Sequence, residues 1–289
     1  MAAAAATGIL VGSAMVATRI VVHQAGPASL ALLRYAIGVC CLLPIVLLST
    51  RVRFARRDLL PIALLGIVQF GVLIALLNVG LAYIPSARAA LIFATLPLVT
   101  MLLSAALGRE RLTPRKAVGV LLTIVGVGGA LGEKALERGD APHVWIGELA
   151  VFASAVSGAV CSVLYRPYLQ RYPTLPVSAF AMLASVAFLA LLAAGEGFFH
   201  APPRFTPRGW LAVLFIGVNS GLGYYLWLWA LNHAPATQVT VFLSLSPVTA
   251  AVLGALLLSE PISPGALIGL VGVALGLVLA HRPDTASAA

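Results

Sequence analysis

Ten apolar runs, most of them close to 20 residues long, follow one another along this chain with short connections between them. They cover residues 5–22, 29–49, 59–82, 86–107, 115–131, 144–165, 176–198, 208–231, 236–258 and 264–281. A helix rises 1.5 Å per residue and needs about 20 apolar residues to cross the hydrocarbon core of a bilayer. At that depth no water bonds the backbone, so each run must close its own hydrogen bonds, as a helix does. The expected fold is therefore an all-α, polytopic membrane protein of ten transmembrane helices. Composition agrees: 9% of the residues are charged, where a soluble domain carries about 25%. The net charge of +9 would suggest nucleic acid in a soluble chain. Here the basic residues sit between apolar runs, so the partner is the lipid bilayer and not nucleic acid.

Charge sets the orientation. With the N-terminus in the cytoplasm, the inner connections and tail hold eleven Lys and Arg, including Arg51, Arg53, Arg56, Arg57, Arg109 and Arg171. The outer ones hold four: Lys134, Arg138, Arg204 and Arg208. The positive-inside preference then places both termini in the cytoplasm; the membrane is expected to be a bacterial inner membrane.

A register of 150 residues runs through the chain. It superimposes Pro85 on Pro235, Pro97 on Pro247, Glu110 on Glu260 and Pro114 on Pro264. Two five-helix repeats fit it, residues 1–139 and 140–289. Five is odd, so the second repeat must enter the membrane inverted. This explains why "ERLTPRK" is basic while its counterpart "EPISPGA" is not. Locally, Thr113 or Ser263 can cap the following helix, with Pro in its first turn.

Several segments carry a resemblance. They are "GSAMVATRIVV", "GPASLALLRYAIG", "YIPSARAALIFATLPLVTMLLSAALGRERLTPRKAVGVLLTIVGV" and "APATQVTVFLSLSPVTAAVLGALLLSEPISPGALIGLVGVALG". Together they resemble the drug/metabolite transporter superfamily, in particular its EamA family of ten-helix exporters. One departure is Val11-Gly12 and Arg19, where the first helix of the family often has Trp-Gly and a later Lys. The resemblance is nearest to the aromatic amino-acid exporter (YddG-type) branch. It implies export of amino acids or other small metabolites, with nucleosides and drugs as alternatives. An intramembrane enzyme acting on lipids is the reading from a different class, and the spans assemble no nucleophile, acid–base pair or metal set for it.

Inverted repeats place a substrate site near the bilayer midplane, between the halves. Pro97 and Pro247 fall mid-span, where each removes an i→i−4 hydrogen bond, and they are the expected hinges. Polar residues inside spans are costly and mark candidate sites. With neighbouring aromatics, the substrate-binding candidates are Asn78, Tyr83, Phe93, Thr95, Asn219, Tyr224, Trp227, Phe242 and Ser244. Helical spacing puts Gln69, Leu76 and Tyr83 on one face and Asn78 nearly opposite Gln69, so Gln69 and Asn78 are not expected to line one cavity. Ser220, Tyr224 and Trp227 share a face, while Trp229 suits an interfacial belt. Arg19, Arg34 and Arg88 lie within spans and are the electropositive candidates. Each either snorkels to the interface or handles a substrate carboxylate.

No Gly-Lys dipeptide exists, so the chain has no phosphate-binding loop for ATP. Cys40, Cys41 and Cys161 lack metal spacing and the five His are scattered, so neither metal nor cofactor is expected. Mid-membrane Asp and Glu are also absent, which leaves uniport and proton-coupled antiport both open. Gly265/Gly269 and Gly272/Gly276 suit close packing within a monomer better than a dimer, which stays open as the second reading.

Overall fold

The computed structural model describes residues 2–48, 52–84, 89, 92–109, 113–114, 117–122, 124–125, 144–258 and 275. Arg88, Glu110, Glu260, Ser263, Pro264, the loop 132–143 and the tenth run apart from Leu275 lie outside the described residues. Every regular element among those described is helical. Apart from a single turn over Arg166–Leu169, they are α1 (Ala2–Val21), α2 (Pro27–Leu48), α3 (Arg56–Tyr83), α4 (Leu96–Ala106), α5 (Val144–Leu164), α6 (Thr174–Gly195) and α7 (Pro207–His233). The last, α8, opens over Ala236–Val241, tightens into a 3-10 turn over Phe242–Ser244 and resumes over Leu245–Leu258. Among the described residues seven helices are long and apolar enough to cross a membrane, and α4 is a shorter apolar helix.

Local chemistry marks the ends. Thr206 accepts a hydrogen bond from Gly209 N at 3.1 Å and Pro207 fills the first turn of α7, so the start of this helix is capped. Helices α4 and α6 both stop at a glycine in the left-handed region, Gly108 and Gly197. After each, the next residue's N–H reaches back to Ser104 O (2.9 Å) or Ala193 O (3.0 Å) and satisfies an orphan carbonyl.

The fourth and ninth runs do not bend at mid-span as single helices. The chain turns at Ala94–Thr95 before α4 begins, and Pro97 lies in the first turn of the new helix. There its missing N–H leaves nothing unpaired. Pro247 follows the 3-10 turn of α8 in the same way, two residues into the resumed helix. These irregular turns meet in the 150-residue register.

Neighbour relations have a regularity of their own. Helix α1 packs on α7 and α8, while α5 packs on α3 and α4. Helix α2 packs on α6 and α7, and α6 on α2 and α3; α4 meets α8. Exchanging α1–α4 with α5–α8 leaves this pattern unchanged. Directions follow from the contacts. The N–H groups of Ala28 and Ser29, at the start of α2, bond the carboxylate of Glu196 just beyond α6. At the opposite end, Asp58 beyond α2 bonds Tyr172, just before α6. Helices α2 and α6 are therefore antiparallel. Close approach of α1 and α8 needs two glycines: a Cβ at Gly8 would strike the Phe242 carbonyl, and one at Gly12 the Ser246 carbonyl.

Candidate functional site

Between these helices lies a cavity of about 100 Å³, walled by α1, α2, α3, α5 and α7 and by the irregular turns ahead of α4 and inside α8. Its wall is mostly aliphatic and aromatic. Phe70 lines it, with ring contacts to Tyr35 (4.8 Å between centroids) and Tyr224 (3.9 Å), both edge-on. Trp227, one turn along α7, adds a second buried aromatic face. Edge-on pairs of this kind fix ring orientation and add about 1 kcal/mol each beyond area burial.

Of the expected residues, the structure brings Asn78, Phe93, Asn219, Tyr224 and Trp227 to the cavity wall, together with Arg34. The two asparagines also tie helices. Asn78 Nδ2 donates to Pro27 O at 2.9 Å; Asn219 Nδ2 donates to Leu10 O at 2.9 Å and to Ser13 Oγ at 3.1 Å. Their amide donors are thus occupied by neighbouring helices, as interhelical bonds in a bilayer are. Trp227 Nε1 and Gln69 Oε1 are different: both are buried without a hydrogen-bond partner. Buried polar atoms seldom stay unpaired, so water or a bound solute belongs at these two.

Gln69 and Asn78 line the same cavity, contrary to the spacing argument. The reason lies in α3 itself, whose segment Ile67–Val72 is a π-helix. In an α-helix nine residues at about 100° each would set Asn78 about 180° from Gln69. The wide turn takes up about one extra residue and reduces that offset to about 80°. The same slip removes Tyr83 from the cavity. It is 47% exposed, and its Cβ stands against Gly147 of α5.

Four other candidates lie elsewhere. Thr95 closes the turn before α4, its Oγ1 donating to Ile92 O at 2.8 Å. The 3-10 turn presents Leu243 to the cavity, while the Phe242 carbonyl is laid against α1 and Ser244 is buried in the core. Arg19 sits near the end of α1, partly exposed and off the cavity wall. Outside the cavity as well, Trp229 is 37% exposed and stacks on His233 at 4.0 Å.

The cavity also has a wall that residue-by-residue reading misses. Thr7, Val11, Ala14 and Thr18 run along one face of α1 and line it. Their i, i+4, i+7, i+11 spacing is present in the sequence, but the two hydroxyls alone are too weak a signal in an otherwise apolar span. Both hydroxyls bond back to their own helix, at Ala3 O and Ala14 O. Among the described residues no group of three or more His, Cys, Asp or Glu could hold a metal. The wall offers neutral hydrogen-bonding groups, aromatic faces and one guanidinium, which suits holding a small organic solute.

Sequence comparison settles the lineage. Residues 1–131 and 145–282 match the EamA-like transporter family. The chain belongs to that family. Its EamA relatives include an uncharacterized transporter of Archaeoglobus fulgidus, 27% identical over 94% of both chains. A probable terminal-alkyne amino-acid exporter of Streptantibioticus cattleyicolor is 32% identical over 78% of this chain and 74% of its own. The aromatic amino acid exporter YddG of Ancylobacter novellus is 37% identical over 50% of this chain and 48% of its own. A solved crystal structure superposes with a TM-score of 0.78 and 27% identity, covering 96% of this chain and 95% of that one. This EamA protein is thus a multi-pass membrane protein of a transporter family, with a small molecule as its cargo.

Proposed function

We propose that this chain is a secondary transporter that exports amino acids, aromatic ones among them, or similar small metabolites by alternating access. The observation that carries the reading is a cavity walled by both halves of the chain, with aromatic faces and unpartnered polar atoms on Gln69, Tyr224 and Trp227. The names of two relatives, both amino-acid exporters, support the substrate class. Ten helices in two inverted repeats, 1–139 and 140–289, are supported by the antiparallel α2 and α6 and by a neighbour pattern that survives exchange of the halves. On this reading the chain works as a monomer in the bacterial inner membrane, with both termini in the cytoplasm. Asn78, Phe93, Asn219, Tyr224 and Trp227 meet the substrate. Purified protein in liposomes is expected to move labelled L-phenylalanine or L-leucine without ATP. Nucleosides moving while every amino acid stays behind would overturn the substrate assignment.

Access alternates as α3 and α4 rock against α7 and α8, with bending at the two irregular turns before Pro97 and Pro247. Inverted repeats can exchange conformations, so one sequence serves both an inward-open and an outward-open state. Pro97→Ala or Pro247→Ala restores an N–H and lets the helix run on through the turn. The expected result is normal expression with slowed efflux and a changed distance across each mouth. A shift of about 1.4 kcal/mol changes the ratio of the states tenfold. Wild-type rates and unchanged distances in both variants would reduce the prolines to packing features.

A further inference from the structure

We infer that Arg34 anchors a substrate carboxylate, and that the cavity selects monocarboxylates with an apolar body, the ammonium group being dispensable. The inference rests on the transport reading above and goes past it to a rule of selection. Among the described residues that line the cavity, Arg34 alone is charged. Its Nε donates to Ser220 Oγ at 2.5 Å, and Ser220 in turn donates to Ile216 O at 2.6 Å. Helix α7 thus fixes one edge of a guanidinium carried by α2, whose Cζ lies 5.6 Å from the centre of the Tyr35 ring. Neither ion pair found among the described residues involves Arg34; both belong to Asp58.

An arginine stays protonated, and a charge inside a membrane protein requires a partner or water. With Nε engaged, the two terminal amino groups keep the fork geometry that takes a carboxylate through two parallel hydrogen bonds. A substrate carboxylate therefore supplies what the site lacks.

The rest of the wall decides what else the substrate carries. Among the described residues no Asp or Glu lines the cavity, so an ammonium group meets neutral acceptors such as Gln69 Oε1, which is buried and unpartnered. An amine without a carboxylate would bring a second positive charge up to Arg34. The apolar body fits against Phe70, Tyr224 and Trp227. Zwitterionic amino acids and their ammonium-free analogues satisfy this wall; amines and carboxamides do not.

The test uses the full chain in proteoliposomes and compounds that share one body. L-phenylalanine, 3-phenylpropionate, phenethylamine, L-phenylalaninamide and phenyl phosphate compete against uptake of labelled L-phenylalanine. The two carboxylates are expected to inhibit at comparable concentrations, and the amine and amide only at concentrations at least about tenfold higher. Arg34→Met should raise half-saturation for both carboxylates by about ten- to a hundredfold and level the panel, while Arg34→Lys keeps part of the preference. If the amine and amide inhibit the wild type as well as the carboxylates do, the Arg34 assignment fails while the transport reading stands. A folded Arg34→Met protein that still prefers carboxylates overturns the assignment in the same way. Phenyl phosphate inhibiting best would replace the monocarboxylate with a phosphate ester. If labelled L-phenylalanine neither enters nor binds, the amino-acid reading falls and takes this inference with it. The wild-type panel alone can refute the rule, whether or not the variants fold.

Discussion

The two ends of α6 are each tied to a neighbouring helix by one acid, to the first turn of α3 through Asp58 and to the start of α2 through Glu196, yet the two clamps are built from different materials. At one end Asp58 is 5% exposed. It accepts from Tyr172 Oη at 2.7 Å and from Arg171 at 3.4 Å, with Phe54 packed edge-on over the Tyr172 ring. At the other end Glu196 lies exposed, and its carboxylate receives Ala28 N, Ser29 N and Ser29 Oγ at 2.6–2.9 Å. The first is a side-chain network around a buried carboxylate. The second is a carboxylate lying on a helix N-terminus, where backbone donors and the dipole favour negative charge but salt screens it. Equal charge therefore does not mean equal hold. On the proposed orientation the Asp58 clamp closes the cytoplasmic end, and it is the stronger.

The largest effect is expected from Asp58→Ala, which removes a charged acceptor from the half-buried Tyr172 phenol and from Arg171. The loss should be about 2 kcal/mol by equilibrium unfolding in mixed micelles, most of it from the tyrosine bond because Arg171 is half exposed. Tyr172→Phe, which keeps the ring on Phe54 and removes only the hydroxyl, should lose about 1 kcal/mol. If both variants behave as wild type, the asymmetry between the clamps disappears. Smallest is Glu196→Gln, at about 0.5 kcal/mol in low salt and less as salt rises. A loss there that matched Asp58→Ala and ignored salt would reverse the ranking.

Much of this fold is legible in the chain itself. Run lengths locate the described spans within a few residues, because the bilayer imposes a length that composition reports directly. The 150-residue register aligns the two irregular turns. The clamps are not legible: Asp58 and Tyr172 are separated by 114 residues, Ser29 and Glu196 by 167, and nothing local marks either pair. Within the candidate site, Tyr224 and Trp227 can be placed because α7 keeps a regular period across that stretch. Spacing misplaces Tyr83 because α3 does not. Helix α1 escapes notice because its cavity face is made of small and aliphatic residues that look the same whether they meet lipid, a neighbouring helix or a solute.

The π-helical turn at Ile67–Val72 has a consequence for how relatives are compared. An extra residue held inside a membrane helix moves no loop and leaves the ends of the span where the bilayer requires them. It changes only which residues beyond it come round to the cavity. A lineage can therefore exchange one set of cavity-facing residues for another by gaining or losing a single position in this helix. Two members with matching columns after residue 72 can then present different surfaces to their cargo, and substrate range can drift without substitution of any residue on the cavity wall.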